Sequence, residues 1–124
     1  MSLLYEEECY KIRGAIFEVY NELGKGFLES VYQESLEKEL EMRQIPFISK
    51  PELILEYKGN PLSHVFVPDL RCYNKIILEL KAVKELLPEH KAQLINYLKV
   101  SQNKVGFLVN FGHFPQVQIE RVLL

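Results

Sequence analysis

Three charged residues in the middle of the chain have the spacing of a reaction site: Asp69 after Val67-Pro68, then Glu79 and Lys81 on either side of Leu80. In a strand, alternate side chains share a face. Glu79 and Lys81 therefore point one way, while Ile76, Leu78 and Leu80 point the other way into a core. A hairpin centred on Asn74 sets Asp69 opposite Glu79, since each lies five residues from that centre. Cross-strand partners have Cβ atoms about 5 Å apart, and a slip of one residue would undo the match. Two carboxylates with a backbone carbonyl make a hard oxygen set suited to Mg²⁺ or Mn²⁺. Such an ion lowers the pKa of a bound water and neutralises charge developing on a phosphodiester. A neighbouring ammonium can orient that water or stabilise the pentavalent oxygens. An ordinary cross-strand salt bridge on a wet face also explains the pattern, and spacing taken alone favours it.

Two further groups have similarly double readings. Glu29, in Gly26-Phe27-Leu28-Glu29-Ser30-Val31-Tyr32, falls in the first turn of a helix and shares a face with Tyr32. An acid there favours the helix dipole; as a functional group it is a third carboxylate aimed at the same patch. His90, Gln93 and Tyr97 form one helical stripe beside Leu94 and Leu98. Gln93 and Tyr97 so placed can hydrogen-bond a phosphate or hold the lysine; the bland reading is a polar helix edge. Lys84, Lys91, Lys99 and Lys104 surround the region as a phosphate-binding rim or as a solvated face. His64 and His113 receive no role.

The elements that must position these groups follow from period and punctuation. Cys9, Ile12, Ile16, Val19 and Leu23 recur on one face of a first helix, which Gly24-Lys25-Gly26 stops. Leu28, Val31, Tyr32, Leu36 and Leu40 mark a second helix ending near Arg43-Gln44. Residues 53–57 read as a strand closed by the turn cluster Lys58-Gly59-Asn60-Pro61. Residues 64–73 and 76–83 read as two strands of a hairpin. Pro88 opens a helix running to about Val100, residues 104–111 make a buried strand, and residues 117–124 make a last one. The order ααβββαββ gives an α/β (α+β) class with a central mixed sheet.

Length and composition set the outer limits. The 124 residues, 48% hydrophobic and 26% charged, suit a single domain over 1–124 with a real core. No run approaches the roughly 18 apolar residues of a membrane span. The formal net charge of -2 argues against a protein that coats nucleic acid nonspecifically, but an acidic site that works on a phosphodiester through metal ions is compatible with it. Cys9 and Cys72 read as buried reduced thiols. The start, Met1-Ser2-Leu3-Leu4-Tyr5-Glu6, lacks a basic and apolar leader, so the expected location is cytoplasmic.

In these motifs the chain resembles the PD-(D/E)XK nuclease superfamily. Pro68-Asp69, nine residues and Glu79-Leu80-Lys81 look like its signature, and Gln93-Leu94-Ile95-Asn96-Tyr97 looks like the QxxxY element of one branch. Gly26 to Tyr32 is similar to the namesake motif of the small bacterial GxxExxY proteins. Supporting similarity lies in Glu22-Leu23-Gly24, Ala82-Val83 and Asn110-Phe111-Gly112. The resemblance runs from about Ile12 to the C-terminus. It implies a restriction-endonuclease-like αβββαβ core. It also implies a metal site of Asp69, Glu79 and the Leu80 carbonyl for Mg²⁺ (or Mn²⁺), with Lys81, Glu29, Gln93 and Tyr97 as catalytic and supporting groups. Tyr20 stands where a histidine is expected. The implied activity is hydrolysis of phosphodiester bonds in a nucleic-acid substrate, DNA first and RNA as the alternative, and no residue of the set is lost. The competing expectation is a catalytically silent nucleic-acid- or protein-binding module on the same fold. A homodimer, formed through apolar residues of the second helix or the last strand, would supply surface that so small a domain lacks.

Overall fold

Glu6, Glu7 and Glu8 open the first helix, where acidic side chains oppose the positive end of the dipole. This helix, α1 (Glu6–Leu23), buries Cys9, Ile12, Ala15, Ile16, Val19 and Tyr20; Ala15 and Tyr20 join the stripe read from the sequence, and Leu23 at its end is only partly buried. Gly24 ends it at φ 65°, a conformation that disfavours a side chain. A second helix, α2 (Glu29–Met42), buries Tyr32, Gln33, Leu36 and Leu40. The computed structural model describes residues 3–124; Met1 and Ser2, the first two residues of the start read above, lie outside the described residues.

Seven strands and a third helix follow: β1 (Phe47–Ser49), β2 (Leu53–Tyr57), β3 (Asn60–Phe66), β4 (Leu70–Cys72), β5 (Ile76–Lys81), α3 (Pro88–Ser101), β6 (Val105–Asn110) and β7 (Gln118–Leu123). Five strands form one mixed sheet in the order β1-β4-β5-β6-β7, while β2 and β3 pair as a separate hairpin. β5 and β6 are parallel, joined through α3; the other pairs of the sheet are antiparallel. Ile76, Leu78, Leu80, Val105, Phe107 and Val109 pack under α1 and α2. Ile77, Leu108 and Val122 pack on the other face against Leu94, Tyr97 and Leu98 of α3. The architecture is the mixed α/β sandwich expected, with a restriction-endonuclease-like sheet flanked by helices.

Two elements differ from the expected order. The single strand over 64–73 is two strands in different sheets, parted at Val67-Pro68. Proline gives no N–H to a ladder and is tolerated only where pairing stops. β1 was not expected at all. It is a three-residue edge strand paired with β4, too short to show a period. Both cysteines are free and buried, as read, and burial pushes the Cys72 thiol up to about 12. Among the described residues, no helix is long and apolar enough to cross a membrane. Exposed apolar side chains include Met42 on α2 and Leu123 at the last strand, but more of them lie on the β2–β3 hairpin: Ile54, Leu55, Tyr57, Leu62 and Val65.

Candidate active site

The β4–β5 register pairs Leu70 with Leu78, Arg71 with Ile77 and Cys72 with Ile76. Continued by two residues, it sets Asp69 opposite Glu79 and Pro68 opposite Leu80, the alignment centred on Asn74. The two acids lock together through the main chain. The Asp69 N–H donates to Glu79 Oε1 at 2.8 Å, and the Leu80 N–H donates to Asp69 Oδ2 at 2.7 Å. The Leu80 carbonyl turns to the same edge as its N–H by strand alternation. Pro68 opposite has no N–H to satisfy it.

Helix α3 supplies the other side. Lys81 Nζ lies 3.9 Å from Glu79 Oε2 and donates to Gln93 Oε1 at 3.3 Å. The Gln93 amide donates in turn to the Tyr97 hydroxyl at 3.1 Å. The predicted stripe on this helix is thus divided in its work. Gln93 reaches the lysine and Tyr97 reaches Gln93, whereas His90 caps α3, its Nδ1 accepting the Leu87 N–H at 3.0 Å. Lys91 is engaged with Glu120 at 3.0 Å, away from the expected rim.

Helix α2 closes the third side. Glu29, Gln33, Lys50 and Asp69 line one cleft of about 520 Å³. Gln33, only 8% exposed, donates to the Asp69 carbonyl at 2.9 Å and to Glu37 Oε2 at 2.8 Å. The Lys50 N–H also donates to that carbonyl at 2.9 Å, and its ammonium stands 4.0 Å from Asp69 Oδ1. Neither Gln33 nor Lys50 was singled out from the sequence. For Gln33 a signal existed, since it stands one helical turn beyond Glu29. Tyr32, the last residue of the glycine motif, is fully buried rather than beside Glu29 in the cleft. Its hydroxyl donates to the Gly24 carbonyl, and its ring stacks on Phe111 at 4.5 Å, which fixes the loop that delivers Glu29. Tyr20, in place of the expected histidine, donates to the His113 carbonyl at 2.6 Å and pins α1 to the β6–β7 loop.

The electrostatics follow from crowding acids in a buried place. Burial, and then the charge of Asp69, push the Glu79 carboxyl up to about 8, against the pull of the Asp69 N–H and Lys81. Burial also raises Asp69, opposed by the Leu80 N–H and the Lys50 and Lys81 ammoniums. Glu29 is raised by desolvation first and by Asp69 second. Groups that resist ionising together favour a cation between them.

A family model described as the PD-(D/E)XK nuclease superfamily matches residues 6–122. The chain belongs to the PD-(D/E)XK nuclease superfamily. A solved structure, titled "Crystal structure of SSO0001", shares the fold with a TM-score of 0.62 at 19% identity, over 76% of this chain and 48% of that one. This chain therefore spans about half the length of that solved chain. Comparison with curated proteins finds no match.

The superfamily generally employs divalent metal ions, and the donor set fits one. Asp69 and Glu79 each spend one oxygen on a main-chain N–H. Asp69 Oδ1, Glu79 Oε2 and the Leu80 carbonyl remain as hard oxygen donors. Among the described residues, no three His, Cys, Asp or Glu side chains converge to hold an ion unaided. Glu29 shares the cleft of Asp69 without completing a three-acid cage. The rest of a metal shell would come from water and substrate, as Mg²⁺ prefers.

Proposed function

We propose that the chain is a metal-dependent nuclease of the GxxExxY branch, a single domain over residues 1–124 that hydrolyses phosphodiester bonds in DNA (or RNA). The observation that carries this reading is the reciprocal bracing of Asp69 and Glu79 beside Lys81, with the Leu80 carbonyl unpaired by Pro68. Asp69, Glu79 and Leu80 would hold Mg²⁺ or Mn²⁺, which when bound supplies an activated water and charge neutralisation at the phosphate. Lys81 holds its ammonium where negative charge develops on the phosphoryl oxygens. Gln93 holds that ammonium in place, and Tyr97 holds Gln93. Glu29, kept from ionising easily by its surroundings, is suited to hold a proton at the edge of the site.

The test is cleavage of labelled single- and double-stranded DNA and RNA with Mg²⁺ or Mn²⁺, with calorimetry of metal binding alongside. Cutting by the wild type that disappears in Asp69→Ala supports the reading. Neither cutting nor metal binding on any substrate rejects it. Nucleic-acid binding without cutting would favour the silent module instead. The homodimer is a separate proposal. Sedimentation showing a monomer at high concentration would remove it.

A further inference from the structure

Two clefts flank the Asp69–Lys81 cluster, and their charges are opposite. Among the described residues, the one against α2 is lined by Glu29, Glu34, Glu37 and Asp69, with Lys50 as its one cation. The other, of about 350 Å³, lies between the loop before α2 and the end of β5; Lys25, Phe27, Val83, Lys84 and Gly112 line it, and no acidic residue among those described does. Both walls are direct continuations of the site. Phe27 stands two positions before Glu29, and Lys84 follows Lys81 by three positions. Three residues span at most about 11 Å.

This second cleft combines positive charge with the open aromatic face of Phe27, and Lys25 of its wall leads on to a second ring, Phe114. Lys25 and Lys84 are exposed. Phe27 is 48% exposed and Phe114 67%, and Lys25 Nζ stands 5.2 Å from the centre of the Phe114 ring. The floor is bare main chain held firmly, because Asn110 Oδ1 accepts the N–H groups of Val83 and Gly112 at 3.0 and 2.9 Å. A polyanion leaving the reaction centre is repelled by the α2 cleft and attracted by this one. Lysines suit its phosphates. Exposed phenylalanines suit the faces of bases, which a duplex keeps stacked and an unpaired strand offers.

We propose that this cleft grips an unpaired strand, so that the substrate carries a single-stranded segment next to the scissile phosphate. The proposal rests on the nuclease reading of the adjoining site, and its test separates the two. Fluorescence anisotropy of the full chain, with Ca²⁺ replacing Mg²⁺, would compare an oligothymidylate of about twelve nucleotides with a blunt duplex of equal length. A 2-aminopurine reporter in the single strand reads stacking. The wild type is expected to bind the single strand at least about tenfold tighter than the duplex. The double variant Lys25→Ala, Lys84→Ala should reduce the log–log salt slope for the single strand by about 1.4, near 0.7 for each phosphate left without its lysine. Phe27→Ala and Phe114→Ala should each weaken binding about 5- to 100-fold and relieve the quenching of 2-aminopurine. Lys38→Ala, on the wet side of α2, should change nothing. All these side chains are exposed, and circular dichroism would check that each variant folds.

Equal or tighter binding of the blunt duplex overturns the proposal, as does wild-type affinity in the variants of Lys25, Lys84 and Phe27 in the cleft and of Phe114 beside Lys25. Cleavage abolished by Asp69→Ala but indifferent to the cleft variants leaves the nuclease standing and the strand cleft refuted. Single-strand binding that depends on the cleft, with no metal-dependent cutting, upholds the cleft and refutes the nuclease.

Discussion

Asp69 and Glu79 restrain each other through the backbone: the Asp69 N–H reaches Glu79 Oε1 at 2.8 Å, and Asp69 Oδ2 receives the N–H of the residue after Glu79 at 2.7 Å. The bracing holds two carboxyls in one buried place, and stability should depend on pH in consequence. Glu79 ionises near 4.5 when unfolded and at about 8 when folded, burial being the larger cause and Asp69 the next. Between these values the folded chain retains a proton that the unfolded chain has released. Stability is therefore full below the lower value and falls until the pH has passed the upper one. Asp69, also raised, adds in the same direction. With EDTA present, urea titrations should lose a few kcal/mol between about pH 5 and about pH 8.5, near 1.4 kcal/mol per unit of pKa difference. Glu79→Gln keeps the acceptor oxygen and cannot ionise, so its profile should be flatter. A wild-type profile as flat as the variant's would contradict the account.

The chain Lys81–Gln93–Tyr97 predicts graded kinetic losses. Gln93 turns its oxygen to Lys81 and its nitrogen to Tyr97, so it acts on the reaction only through the lysine. Lys81→Ala should lower kcat by about 10²-fold or more. Gln93→Ala should lower kcat about tenfold with KM nearly unchanged, since misplacement rather than loss of the charge is at issue. The double variant should be no worse than Lys81→Ala. Additive losses would show that Gln93 has an independent role.

The Asp69–Glu79 register was legible because two independent signals agree on it. The short Tyr73-Asn74-Lys75 link sets the centre of the hairpin, and the Ile76, Leu78 and Leu80 side chains must face the core; in the structure Tyr73 and Asn74 make that turn at positive φ of 56° and 59°. The helices were legible for the same reason: their apolar stripes and their stops coincide. β1 has neither signal, being three residues whose pairing is decided by β4. The break at Val67-Pro68 was written in the proline, but the apolar run on either side of it reads as continuous. Gln33 offered only its spacing from Glu29, and Lys50 offered no signal, because both act through long-range hydrogen bonds to the carbonyl of Asp69. No local period encodes a long-range hydrogen bond to the main chain.

Gln33 gives a test of that support. Its amide hydrogens serve both the Asp69 carbonyl and Glu37, in a place only 8% exposed. Gln33→Leu keeps the bulk and leaves both acceptors short of a donor. We expect a loss of about 1–2 kcal/mol in unfolding free energy. Metal affinity, measured by calorimetry, should weaken as well, because the Asp69 carbonyl is then held by the Lys50 N–H alone. Gln33→Glu should be worse than leucine, since it adds a charge beside Glu37 and Asp69. A neutral Gln33→Leu would mean that water replaces the amide freely.

Gly112 carries the tightest steric demand near the site. A Cβ at this position would meet the Val83 carbonyl oxygen at 2.3 Å and its nitrogen at 2.6 Å. Both are main-chain atoms and cannot rotate away. Neither can the segment slide easily, since Asn110, fully buried, clamps Val83 and Gly112 together. Gly112→Ala should therefore push the end of β5 away from β6, at a cost of about 1–3 kcal/mol by urea denaturation. The displacement would travel back two residues from Val83 to Lys81, so kcat should fall even where the variant is fully folded. Asn110→Leu tests the same clamp without a clash, removing the shared acceptor and stranding the Val83 and Gly112 N–H groups. It should cost about 1–3 kcal/mol. If Gly112→Ala were as stable and as active as the wild type, the close approach of these two loops would not be what holds Lys81 in place.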